Sequence, residues 1–446
     1  MIKIGKKMIS IPMILFMYML IYNPPILAPL FTFNSAWLVM IPSTAYLLLN
    51  RKELKTSVNL RAVVWTEITL GVVFAYLLVL SKLNDNPFSQ HGFFVYWMAA
   101  DIPFALACRI ALQKRGLGVS ELLDHILWTG LLMAATVIAA FLIPAVKEFF
   151  AEKTIAYGVS KMITVKLSAY RNFGFAANLT STAAYVQAVI ACIALWRGVR
   201  GKSSWLIAFP VLAFSANINA RVSVYLIAAG MAAIGIAMLF TKEWKRILTY
   251  VGVALGFAAI AYFGLGIVRF VNPMTHEWLT RGLEQVSTFV AGEEAAYSDG
   301  YFGELAWMLS PDHFPKGVKL VFGAGTEIIG GVVEEKYGTA SDVGFMNDLW
   351  RGGLVYCAVM YGMYLLALWG IMHSKVIRRE TGIFLAVLWL FVFGIVNFKG
   401  MFLIHSDLTV VFILLVAGLI WNRYDSGDLI PEVPESVRPL TAIQKE

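Results

Sequence analysis

Two arginines are the residues of this chain whose type and position could most readily do chemistry. Arg171 comes shortly before an apolar run, and Arg221 lies in a very short link between two apolar runs. A guanidinium beside hydrocarbon is costly and usually has a partner. Contact with a ligand is therefore the favoured interpretation of Arg221, with an interfacial anchor or a salt bridge between helices as the alternative. For Arg171, an anchor that reaches the lipid headgroups is an equally simple explanation.

A glycine pair and a carboxylate follow further along the chain. Gly323 and Gly325 flank an alanine, and the simplest interpretation of this pattern is a tight turn. Asp342 stands just before an apolar run. It could cap a helix, serve as an ordinary loop carboxylate or take part in chemistry.

Several familiar enzyme signatures are absent from the sequence. It contains no H-E-x-x-H motif, and its G-V-R-G-K-S segment lacks the first glycine of a P-loop. It also has no D-x-D pair to hold a divalent metal, and its three cysteines lie in apolar runs without metal-ligand spacing. We therefore expect neither a metal nor a cofactor.

The composition predicts an all-α, polytopic membrane protein. Of 446 residues, 59% are apolar and 14% are charged, and the charged share is about half that of soluble domains. The apolar residues form a series of runs long enough to cross a hydrocarbon core, and a lipid-exposed crossing must be helical. We predict about twelve spanning helices, near residues 8–28, 35–50, 62–81, 93–112, 125–146, 180–196, 204–218, 222–240, 247–271, 349–372, 382–398 and 407–421.

The connecting loops predict the orientation of the chain. Alternate loops are rich in Lys and Arg, which by the positive-inside rule places them, and both termini, in the cytoplasm. The predicted organisation has four parts: transmembrane helices 1–9 in residues 1–271, a large periplasmic loop at 272–346, helices 10–12 in 347–421 and a flexible cytoplasmic tail at 422–446. Within the large loop, the spacing of apolar residues over 277–290 predicts an amphipathic helix at the membrane interface. A second such helix is expected over residues 301–309.

Three local motifs resemble those of the Wzy-type O-antigen and capsule polymerases, a family related to the O-antigen ligases. The first is R-N-F-G-F, which begins at Arg171 and is followed by Asn178; the second is N-A-R-V-S around Arg221. The third is F-G-A-G, which ends at Gly325 and is followed by Asp342. The resemblance covers about residues 165–372 by motif and the rest by topology alone. Ligases of the superfamily carry a histidine where Asp342 stands, which favours a polymerase.

The resemblance implies a GT-C-like glycosyltransferase bundle in the bacterial inner membrane. Such an enzyme would join undecaprenyl-diphosphate-linked oligosaccharide units at the periplasmic face, without a metal or cofactor. The implied roles are diphosphate binding by Arg171 and Arg221, proton abstraction by Asp342, and substrate contact by Gly323, Gly325 and Asn178. A chain-length regulator and a flippase are the implied partners, and nucleic acid is not expected. The alternative functions are an O-antigen ligase and a polytopic transporter or flippase.

Overall fold

A computed structural model of the protein describes residues 2–4, 7–26, 28, 30, 34–86, 91–177, 182–242, 244–291, 309–326, 343–400, 402 and 406–422. Two three-residue strands, β1 (Ile2–Ile4) and β2 (Lys7–Ile9), pair as an antiparallel hairpin at the N-terminus. Helices make up most of the remaining described chain, so the predicted all-helical architecture is confirmed apart from this hairpin.

The first half of the bundle contains nine helices among the described residues. They are α1 (Ile11–Tyr22), α2 (Ala36–Leu49), α3 (Arg51–Ser57), α4 (Leu60–Leu83), α5 (Phe93–Gln113), α6 (Val119–Leu142), α7 (Pro144–Ala156), α8 (Lys161–Ser168) and α9 (Thr182–Val199). Residues 97–101 of α5 form a π-helical segment.

The second half contributes eight more helices within the described part of the chain. They are α10 (Ser204–Asn219), α11 (Ser223–Phe240), α12 (Trp244–Val271), α13 (Pro273–Ala291), α14 (Val318–Phe322), α15 (Gly344–Met372), α16 (Arg379–Lys399) and α17 (Ser406–Leu419). The helix α13 falls where the amphipathic pattern predicts one. Residues 301–308 of the second expected amphipathic helix lie outside the described residues.

Helix length and composition identify a polytopic membrane protein. Over the described residues, eight helices are long and apolar enough to cross a bilayer, namely α4, α5, α6, α9, α11, α12, α15 and α16. Four shorter apolar helices, α1, α2, α10 and α17, occupy the other predicted positions. A 16-residue helix such as α10 rises only about 24 Å, which is less than a hydrocarbon core of about 30 Å. The prediction of twelve spans therefore depends on these four helices.

The first predicted helix, at 8–28, is too long. Residues 7–9 form β2, and α1 ends at Tyr22. Asn23 follows with φ 42°, a left-handed conformation that ends a helix, and it precedes Pro24 and Pro25. A residue before proline is disfavoured in the helical region, so the chain turns here.

A second difference concerns the predicted helix at 125–146. The structure ends α6 at Leu142 and begins α7 at Pro144, with Ile143 in an extended conformation between them. Proline is favoured in the first turn of a helix, where its missing N–H costs nothing. The polar helices α7 and α8 were not predicted, because their composition carries no spanning signal.

The helix α9 forms the centre of the bundle. Residues 182–198 of this helix are all buried inside the protein, and it packs against α6, α10, α11 and α17. By contrast, only 6% of the apolar stretch of α12 is buried. An apolar helix that lies so far outside the core is expected to face lipid.

Close backbone contact between a loop and α15 forms a glycine corner, which we define as Gly323, Gly325, Gly352 and Gly353. Gly353 has φ 63° and ψ −166° within α15, so the helix is interrupted there. The carbonyls of Trp350 and Arg351 accept hydrogen bonds from the N–H groups of Ala324 (2.7 Å) and Gly325 (2.9 Å). The loop therefore provides donors to carbonyls at the interruption.

Replacing Gly353 with alanine tests the glycine corner. A Cβ at this position would collide with the carbonyl oxygen of Val321, and its positive φ disfavours any L side chain. We expect Gly353→Ala to lower the thermal midpoint of the purified protein in detergent. Gly362→Ala is the matched control, because it lies in the same helix and a Cβ there meets no atom within 4 Å. Equal midpoints for the two variants would contradict the packing described here.

Candidate functional site

The segment that carries Arg171 lies between α8 and α9 and is fixed at two points. The backbone N–H of Asn172 donates to the carbonyl oxygen of Ile218 at the end of α10 (3.1 Å). The side chain of Thr275, in the first turn of α13, accepts from the Asn172 amide (3.5 Å) and donates to the carbonyl of Tyr170 (3.2 Å). The arginine segment is therefore held against the ends of both helices.

Arg221 lies in the tight turn between α10 and α11. The hydroxyl of Ser223 donates to the side-chain oxygen of Asn217 (2.6 Å) and to the carbonyl of Ala220 (2.6 Å). The carbonyl of Arg221 itself accepts from the N–H of Val224 (3.1 Å). This turn places the arginine at the same end of α10 as Ile218, and hence beside the Arg171 segment.

Both arginines lie against one aromatic ring, that of Trp278 on α13. The guanidinium carbons of Arg171 and Arg221 are 5.7 Å and 5.3 Å from the centre of the Trp278 ring. The ring of Tyr170 packs on the same tryptophan at 5.7 Å. Contact with an aromatic face attracts a cation, so Trp278 orients both guanidiniums. The structure thus brings together the two arginines that the sequence singles out.

A third cation, Lys399, belongs to the same cluster. It is the last residue of α16, and it lies close enough to Arg171 and Arg221 for the charges of both to act on it. We call Arg171, Arg221 and Lys399 the cation cluster. Sequence reasoning missed Lys399, although its position was a usable signal: it is a lysine at the end of an apolar run opposite to the basic loops.

The two arginines of the cation cluster form no ion pair with a carboxylate in the described part of the protein. Among the described residues, no carboxylate lies within 4.0 Å of the guanidinium of Arg171 or of Arg221. Burial lowers the pKa of Arg171 below its ordinary value, and the charge of Arg221 lowers it further. Burial also lowers the pKa of Arg221. Arginine stays charged despite such shifts, so both guanidiniums are positively charged here.

Buried polar atoms beside the cluster have unused hydrogen-bonding capacity. The Nε atom of Arg171, the side-chain oxygen of Asn172 and both polar side-chain atoms of Asn219 are buried without a partner in the described part of the protein. Buried polar groups normally have partners, so such atoms often mark a site for water or a ligand. The arrangement is suited to binding an anion with several oxygen atoms.

Asp342 and Asn178, the proposed base and a proposed substrate contact, lie outside the described residues. The residues that follow Asp342 are described. Val343 is fully buried, and Gly344 packs against Asn397 and Gly400, which flank the lysine of the cation cluster. The catalytic role of Asp342 and the substrate role of Asn178 stay predictions.

Gly323 and Gly325 belong to the glycine corner. A Cβ on Gly323 would lie 2.5 Å from the Cα of Gly352, and one on Gly325 would lie 2.5 Å from the backbone nitrogen of Ser81 on α4. None of their described contacts joins them to Arg171 or Arg221. The structure therefore gives both glycines a packing role, and their contact with a substrate stays a prediction.

A buried polar network lies next to the glycine corner and was not predicted. Tyr361 donates to the carboxylate of Asp348 (2.7 Å), whose other oxygen is 3.8 Å from the Arg351 guanidinium. Arg351 is fully buried, and its guanidinium lies 5.3 Å from the ring centre of Phe93 on α5. The network therefore links α15 to α5 next to the glycine corner. Its sequence signal is the charged pair Asp348 and Arg351, which stand on either side of the first residue of the predicted helix at 349–372.

Comparison with known proteins adds no family assignment. No family model, curated protein or solved structure matches the chain. Among the described residues no group of three or more His, Cys, Asp or Glu side chains converges as a metal site, and metal independence stays a prediction. The cation cluster is therefore the structural feature that bears most directly on function.

Substitution of Lys399 tests whether the cation cluster binds anions. We expect Lys399→Gln to weaken the binding of inorganic pyrophosphate to the purified protein about tenfold, because one charge-assisted hydrogen bond is lost. Titration calorimetry measures this change. Lys375→Gln is the control, since Lys375 is exposed and lies beyond the opposite end of α16. If both variants bind pyrophosphate as tightly as the wild type, Lys399 is not part of an anion site.

Proposed function

We propose that the protein is a polysaccharide polymerase that joins undecaprenyl-diphosphate-linked oligosaccharide units. The observation that carries the proposal is the convergence of Arg171 and Arg221 on Trp278, with Lys399 beside them. A diphosphate has several anionic oxygens and matches three fixed cations better than a neutral sugar does. The motif resemblance to the Wzy-type polymerases points to the same pair of arginines.

The proposed reaction transfers the growing glycan from its lipid carrier to a new lipid-linked unit. A hydroxyl oxygen of the new unit attacks the anomeric carbon of the glycan, and the bond from that carbon to the diphosphate oxygen breaks. Negative charge grows on the departing lipid diphosphate, and the cation cluster stabilises it. The planar guanidinium fork binds two phosphate oxygens at once, which a lysine cannot do.

Proton transfer completes the proposed reaction. The acceptor hydroxyl loses its proton to a carboxylate, and Asp342 is the proposed base. Its neighbours in sequence support this choice, because Gly344 packs against Gly400 and so adjoins the end of α16 that carries Lys399. The diphosphate is a stable leaving group, which makes transfer of the glycan favourable. The proposed reaction therefore requires no nucleotide.

We also propose three features of the fold that helix length and composition alone do not establish. These are twelve spans in a GT-C-like bundle, both termini in the cytoplasm and the cation cluster on the periplasmic side. Support for the orientation comes from α10 and α16, which each run from a basic loop to the cluster. The helix α13, whose first turn bonds to the Arg171 segment, would lie at the interface where lipid-linked substrates arrive.

Cysteine labelling tests the proposed orientation. We expect an impermeant maleimide applied to spheroplasts to modify Lys316→Cys and to spare Thr56→Cys until the membrane is opened. Both positions are exposed, and the three native cysteines are buried, so the background is low. Labelling of Thr56→Cys but not Lys316→Cys in intact spheroplasts would place the cation cluster in the cytoplasm and exclude the proposed reaction.

The glycan made by a deletion strain tests the function itself. If the protein is a polymerase, loss of the gene collapses the glycan ladder to a single attached repeat unit. Loss of all attached repeats would instead identify a ligase, and an unchanged glycan would exclude both. The same strain complemented with Asp342→Asn should keep the collapsed ladder at normal protein level, because an amide cannot accept the hydroxyl proton. A full ladder from this variant would exclude Asp342 as the base.

A further inference from the structure

The short helix α8 carries positive charge that the described protein does not pair. Its two ionisable residues are Lys161 and Lys166, and the sequence has no Asp or Glu between Glu152 and Glu243. Among the described residues, no carboxylate lies within 4.0 Å of either lysine. Both lysines are exposed. The helix therefore presents two cations to its surroundings.

The exposed side of α8 combines these lysines with apolar residues. Met162 and Val165 are exposed to 76% and 56%, whereas Thr164 is fully buried against the protein. At about 100° per residue in an α-helix, Met162 and Val165 lie in the middle of the exposed arc. Lys161 and Lys166 lie at its two edges. An apolar strip with a lysine on each side is typical of a helix that lies in the plane of a membrane interface.

The fold holds α8 at the level of the membrane boundary. The helix α6 has 24 residues and rises about 36 Å, enough to cross a hydrocarbon core of about 30 Å, so its end at Leu142 lies near the boundary. The helix α7 follows and stays beside the end of α1: Lys153 donates to the carbonyl of Ala28 (2.9 Å), and the hydroxyl of Tyr157 accepts from the Asn23 amide (3.1 Å). Since α8 packs on α7, it stays at the same level.

The helix α8 is also joined to the Arg171 segment. The backbone N–H of Arg171 donates to the carbonyl of Leu167, which lies in α8 (2.9 Å). The ring of Phe150 on α7 packs on that of Phe175 at 5.2 Å. Contacts that fix α7 and α8 in the membrane therefore also fix the backbone at this arginine.

We propose that α8 lies in the headgroup layer at the end of the bundle that carries the cation cluster, and that it binds anionic phospholipid there. Met162 and Val165 would reach the boundary with the acyl chains, and Lys161 and Lys166 would contact headgroup phosphates. Charge favours this occupant over a second copy of α8, because two copies would place four lysines together without a carboxylate from either helix. This binding is separate from the proposed transferase reaction.

Spin labelling of the full chain in lipid vesicles tests the depth of α8. A nitroxide is attached to Met162→Cys or to Val165→Cys, and its collisions with oxygen, which concentrates in lipid, are compared with its collisions with a water-soluble nickel chelate. The three native cysteines are buried. In phosphatidylglycerol vesicles we expect both labels to favour oxygen. A label on Glu148→Cys, an exposed carboxylate position of α7, should favour the chelate.

Replacement of the two lysines tests the preference for anionic headgroups. With the native lysines, a change from phosphatidylglycerol to phosphatidylcholine should shift the Met162→Cys label towards water. With Lys161→Gln and Lys166→Gln together, this shift between the two lipids should be lost. The matched control is Lys316→Gln with Lys319→Gln, which removes two exposed lysines from another segment and should leave the shift unchanged.

Three results would overturn the proposal. Water-like collision rates at both Met162→Cys and Val165→Cys would exclude contact with the membrane. Low rates with both reagents would show that protein covers this face, as in a dimer of the chain. Equal depth in the two lipids with the native lysines would exclude selective binding of anionic headgroups. Because none of these measurements uses polysaccharide synthesis, each outcome is independent of whether the protein is a polymerase.

Discussion

Repulsion among three cations at one end of a helical bundle is the constraint on which the structure depends. Arg171, Arg221 and Lys399 come from different segments, and each is close enough to feel the charge of another. Like charges in a partly buried site raise the free energy of the folded protein, because water screens them poorly there. Such an arrangement persists only if packing elsewhere fixes the segments that carry it. An anion bound at the proposed site would relieve this repulsion.

The rest of the fold can be understood as the support for this cluster. The buried α9 holds α10 and α11 around the turn of Arg221, while Asn172 and Thr275 fasten the Arg171 segment to α10 and α13. Trp278 provides one aromatic face for both guanidiniums. The glycine corner fixes the loop before α15, whose start packs on the end of α16 beside Lys399. Rigid support of this kind would let the cluster stabilise charge without reorganising during the proposed reaction.

The sequence predicts the helices well because their signal is local. An apolar run long enough to cross a bilayer is visible without knowledge of its neighbours, and the amphipathic pattern that became α13 is local too. The structure differs from the prediction where a helix ends earlier than its apolar run, and where a helix is too polar to resemble a spanning segment. Asn23 and the two prolines after it end α1 early, and the polar α7 and α8 resemble loops in composition.

The site is less predictable, because it depends on tertiary contacts. The placement of Arg171 and Arg221 predicts two unusual arginines, but only the fold shows that they share Trp278. Lys399 was missed since a single lysine at a helix end is common. The resemblance implies substrate contact for Gly323 and Gly325, which stays a prediction, and the fold shows both packed closely, against Gly352 and Ser81.

The proposed function requires that the arginines of the cation cluster bind the departing diphosphate through their planar forks. The most direct measurement is the glycan ladder of a strain that carries Arg221→Lys, beside a membrane immunoblot of the protein. Lysine keeps the charge and removes the fork. We expect polymerisation to be largely lost while the protein inserts and accumulates normally. A wild-type ladder from Arg221→Lys would contradict the proposed role of the arginines.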